Sequence, residues 1–145
     1  MTGRVFVSRA AAVGAAAGGL LIATGAVLPW MTLYGGLHPL RGILGPYGQL
    51  LFAAGIGCAT GALFLARFPR RLGSMLLGAA AGVFAFASWL AFGSIPGTLE
   101  RMQENPFLVA SQGNGPHVAL VGALMVLCAG AIAVLPAGRG SRYDG

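Results

Sequence analysis

The sequence predicts an all-α protein built as an antiparallel four-helix bundle for a lipid environment, and three observations predict it. Of 145 residues, 57% are hydrophobic and only 8% are charged, with a mean hydropathy of +0.80. A water-soluble domain carries roughly 25% charge, so most of the usual solvating surface is missing. Four apolar stretches, 10–28, 50–66, 72–92 and 118–135, contain no Asp, Glu, Lys, Arg or His. At ~1.5 Å per residue they run about 26 to 32 Å, the thickness of a hydrocarbon core. None shows the strict alternation of a barrel strand, and in lipid only helices or closed barrels satisfy every backbone amide. The chain therefore reads as a single domain over 1–145 with a structured outer loop between the first two helices.

The first stretch follows Arg4 and Arg9, a pattern shared with secretory leaders. It exceeds the ~7–15 apolar residues of a leader core and lacks a small-x-small cleavage site before a polar start, so it is expected to be a true span. Arg67, Arg70 and Arg71 follow the second stretch, and Arg139 and Arg142 follow the fourth. Only Arg41 and Arg101 fall on the other side. By the positive-inside rule both termini and the middle turn are cytoplasmic, and the two long loops face outward. Every basic residue is Arg, beside abundant Ala and Gly, which fits a GC-rich bacterial genome and hence a bacterial inner membrane. The net charge of +6 is spread without a recognition motif, which suits lipid headgroups and argues against nucleic acid.

Helices in lipid associate where small side chains let backbones approach. The spacing Gly-x-x-x-Gly occurs at Gly14/Gly18, Gly57/Gly61 and Gly78/Gly82, and the fourth stretch carries Ala119, Gly122, Val126, Ala129 and Ala133. All are expected to line seams within the bundle, with a homo-oligomer seam as the alternative. Pro69 stops the second helix, and the short turn 67–71 makes the second and third helices antiparallel neighbours.

The first outer loop, 29–49, is amphipathic. Trp30, Tyr34 and Tyr47 suit the headgroup zone, and residues 30–34 and 37–40 around Gly35-Gly36 give a hairpin signal weakened by Pro39. In the second loop, 93–116, a short helix over 97–104 is expected, capped by Thr98 and ended by Asn105-Pro106. Pro29-Trp30 after the first helix, then the Gly-rich loop and three more helices, resembles small uncharacterised four-helix bacterial membrane proteins. More distantly the layout is similar to the claudin group, through Trp30 and Gly36-Leu37. His38 stands where that group has Trp and the paired loop cysteines are absent, so a barrier role is not implied.

Chemistry is sparse. Cys58 and Cys128 lie in apolar stretches outside any CxxC, and His38 and His117 match no ligand spacing, so no cofactor or metal is expected. Arg41, Glu100, Arg101, Glu104 and His117 share the outer side, but no hydrolase or phosphate-binding motif joins them. No ionisable group occurs at membrane depth, where a proton or ion path would need one. The sequence thus points to a non-catalytic accessory subunit of a larger membrane complex, contacting its partner through Trp30, Tyr34, Arg41, Glu100 and Glu104. An oligomeric small-solute or ion permease and a lipid-modifying enzyme are the alternatives.

Overall fold

Side-chain size and proline placement account for most of the architecture. The computed structural model describes residues 2–65, 72–104 and 109–134. Helix α1 (Thr2–Val27) ends just before Pro29, which has no N–H to continue it. Strand β1 (Pro29–Leu33) passes through a 3₁₀ turn at Tyr34–Gly36 into β2 (His38–Arg41), and a second 3₁₀ turn at Gly42–Leu44 leads to α2 (Pro46–Leu65). Helix α3 (Leu72–Trp89) continues through a π turn (Leu90–Ser94) into α4 (Ile95–Gln103). A two-residue strand β3 (Ser111–Gln112) then precedes α5 (Gly115–Val134). The segments Arg9–Val27, Pro46–Phe64, Leu77–Gln103 and Gly115–Val134 are long and apolar enough to cross a membrane. Residues 67–71, 105–108 and the tail from 135, with Arg67, Arg70, Arg71, Arg139 and Arg142, lie outside the described residues.

The closest seam joins α1 to α5. A Cβ placed on Gly18 would come within 2.7 Å of the Gly122 carbonyl, and one on Gly25 within 2.5 Å of the Ala119 nitrogen. Gly14 faces Ala129. These pairings descend one helix as they climb the other, so the two run antiparallel. The adjoining side of α1 meets α2 where Gly19 packs on Gly55 and Ala59. Gly130 of α5 lies against Leu77 of α3. Around Ile22, Leu51, Leu90 and Val126 the core is chiefly alanine, including Ala26, Ala62, Ala80, Ala87, Ala119 and Ala123. Small side chains in the core hold the axes close, which is how helices gain dispersion energy when lipid is as apolar as they are.

Two expectations change here. Gly57, Gly61, Gly78 and Gly82 line no seam among the described residues: a Cβ on any of them would meet none of those within 4 Å. Alanines do that work on α3, and Gly55 takes the place on α2 expected of Gly57. Nor does the third helix stop at 92. Pro96 in a regular α-helix would clash with the carbonyl four residues earlier and donate nothing. The helix instead widens by one residue per turn, with the Ile95 N–H donating to the Leu90 carbonyl five back, and carries on. Thr98 is consequently mid-helix, its hydroxyl donating to the Ser94 carbonyl (2.8 Å), and caps nothing.

The hairpin forms as the aromatic-Gly pattern suggests, with β3 added on its other edge in the order β2-β1-β3. All pairings are antiparallel: Leu33↔His38, Thr32↔Pro39 and Met31↔Leu40 on one side, Met31↔Gln112 and Thr32↔Ser111 on the other. Left-handed backbone falls on Tyr34 (φ 54°) and Gly36 (φ 103°). The edge contact of the Tyr34 ring with His38 (centroids 5.9 Å) closes that turn.

Candidate interaction surfaces

Trp30 organises the end of the molecule that carries the sheet. The ladder slips by one residue between Pro29 and Met31, a bulge that leaves Trp30 out of register and re-aims its side chain. The indole lands on two glycines. A Cβ on Gly42 would collide with its ring, and one on Gly115 would lie 2.5 Å from Cδ1. Its Nε1–H donates to the Gly25 carbonyl at 3.1 Å. That carbonyl needs a donor because the N–H four residues on would belong to Pro29, which has none. Trp30 is only 9% exposed, so the expected partner contact and headgroup anchor is a core residue instead. The Gly113 N–H donates to the Trp30 carbonyl (2.8 Å), tying the start of α5 to the same strand.

The other expected contact residues, Tyr34, Arg41, Glu100 and Glu104, are exposed. Arg41 ends β2, whose four residues are all exposed, Tyr34 opens the turn before it, and Leu37 (80%) and Leu44 (74%) protrude beside it. Glu100 and Arg101 on α4 and Glu104 just after it line an exposed side opposite the one that buries Ile95 and Leu99. Their charges therefore sit on a solvated face backed by an apolar one.

A second proline problem is solved beside α4. With the Ile95 N–H engaged by Leu90, the Ala91 carbonyl has lost its donor four residues on, and five residues on stands Pro96. The Gln112 Nε2 of β3 donates to it at 3.2 Å. Beta-strand β3 is held on its other side by the ladder to β1 and by the Thr32 and Ser111 hydroxyls, 2.6 Å apart. No motif marks Gln112; the signal that points to it is Pro96, which guarantees a carbonyl in want of a partner.

Between α2 and α3 an aromatic group closes the sheet-side end: Tyr47 meets Phe86 (6.2 Å) and Trp89 (5.8 Å) edge-on. The four open glycines lie further along the same two helices, away from the sheet. Cys58 is buried in α2, whereas Cys128 is exposed on α5, so the two do not form a pair. His117 sits edge-on to Phe92 (6.1 Å) and His38 against Tyr34, and no group of three metal-ligating side chains occurs among the described residues. No family model, curated protein or solved structure matches this chain.

Proposed function

We propose that this protein is a non-catalytic subunit of the bacterial inner membrane, spanning it four times and packing beside a larger membrane protein. Both termini would lie in the cytoplasm and the sheet outside, a reading that the arginine distribution supports. The arginines flanking the spans would also hold anionic headgroups. The observation that carries the reading is the open glycines. Within the chain, glycine at helix crossings lets α1 approach α5 and α2. The same residue type at the same spacing recurs on α2 and α3 with none of the described residues against it. In a lipid environment a stripe without Cβ atoms is the surface on which another helix gains close backbone contact. Tyr34, Arg41, Glu100 and Glu104 would extend that contact outside the bilayer.

The test is native mass spectrometry after mild detergent extraction, comparing the wild type with a Gly57→Leu/Gly82→Leu variant. The expected result is a stoichiometric larger membrane protein with the wild type, lost in the variant, at unchanged thermal stability of this chain. A lone wild-type monomer, or a partner retained by the variant, overturns it. The same open faces would also serve a second copy, which favours the oligomeric permease as the rival; a homo-oligomer that conducts in liposomes establishes that reading instead.

A further inference from the structure

We propose that α4 is a hinged arm, with the π turn as its hinge and Gln112 as its latch. Pro96 makes the hinge. It removes a donor inside the helix and forces the wider turn, so α3 is joined to α4 through a turn that has lost a backbone hydrogen bond. Gln112 makes the latch, because it alone among the described side chains donates to the carbonyl that the turn leaves over. The latch is anchored outside the helix, on a strand of two residues bound to β1. Beyond the hinge, α4 packs on the turn and on β3, with Ile95 and Leu99 in the buried core and Met102 half-buried against it. Its opposite face carries Glu100, Arg101 and Glu104. When the Gln112 amide donates, sheet and arm form one unit; when it lets go, the arm pivots and that charged face changes direction. The device depends on the geometry of this chain alone and stands whether or not a partner docks on the glycines.

The hinge and the latch are tested together by the distance between nitroxide labels at Leu37 and Glu104 in detergent micelles. The labels are placed in a Cys58→Ala/Cys128→Ala background and read by double electron–electron resonance on the full chain. The wild type is expected to give one narrow distance distribution. Gln112→Met keeps the bulk but removes the donor, and is expected to at least double the width or add a second peak. Adding Pro96→Ala returns an N–H, allows a regular helix and gives the Ala91 carbonyl its ordinary donor, so the double variant is expected to be narrow again. An unchanged distribution in Gln112→Met, or a double variant as broad as the single, overturns the proposal. Should Gln112→Met fail to fold, recovery of folded protein in the double variant supports it and failure of both overturns it.

Discussion

Two carbonyls near the sheet-side end of this molecule suffer the same loss, and the protein treats them differently. At Gly25 and at Ala91 a downstream proline removes the backbone donor, and in each place a side chain from a strand supplies one. At Gly25 the substitute is an indole buried between two glycines, in the middle of a bulged strand that also meets α5. At Ala91 it is an amide on the exposed outer strand of the sheet, fixed by two residue pairs and a hydroxyl contact. The first arrangement fills volume as well as the hydrogen bond, so nothing moves without opening a cavity. The second supplies the hydrogen bond with little packing behind it. The lesson is that proline decides where a donor is needed, while the surroundings of the donor decide whether the joint is rigid.

That contrast is sharpest at Trp30. Trp30→Ala removes both the ring and the donor and is expected to cost about 3–5 kcal/mol, seen as a large fall in the melting temperature in detergent. Trp30→Phe keeps most of the ring but leaves a buried carbonyl unpaired, for a loss of about 1–3 kcal/mol in the same assay. If Pro29→Ala recovers part of that loss by restoring an N–H, the carbonyl is the cause; if it recovers none, the contribution of Trp30 is packing alone. Gln112→Leu removes a hydrogen bond that is only part-buried, unlike the buried one of Trp30, and is expected to cost only about 0.5–1.5 kcal/mol. An effect equal to that of Trp30→Ala would erase the distinction between the two joints. Smallest of all, Gly57→Ala and Gly82→Ala should leave unfolding of the isolated chain within about 0.5 kcal/mol of wild type, since each new methyl enters open space.

The positions of the long helices were legible because hydropathy and length are properties of the segment itself. The hairpin was legible too, through Gly35-Gly36 and the amphipathic arms beside them. Gly14, Gly18 and Gly122 lie at crossings, but identical spacing on α2 and α3 does not, because Gly-x-x-x-Gly states that a helix can be approached and not by which neighbour. That depends on the order of the helices around the core, where α1 sits between α5 and α2. Trp30 was misread for a related reason: an indole beside a span suits the headgroup zone and a core equally, and the choice is made by Gly42 and Gly115, distant in sequence. Pro96 cannot continue a regular α-helix, yet a one-residue widening lets the helix pass it. Beta-strand β3, at two residues, is too short to leave a periodic signal.

The closest seam, between α1 and α5, has a consequence for the order of events during synthesis. Its halves, Gly14 to Gly25 and Gly115 to Ala129, are separated in the chain by α2, α3 and α4, so the ribosome must deliver all three before they can meet. Until then the bare glycine groove of α1 faces lipid or a chaperone. A product cut short before α5 would therefore keep the α2 neighbour of its first helix and leave the Gly14–Gly25 groove bare, the kind of exposed surface on which incomplete chains aggregate.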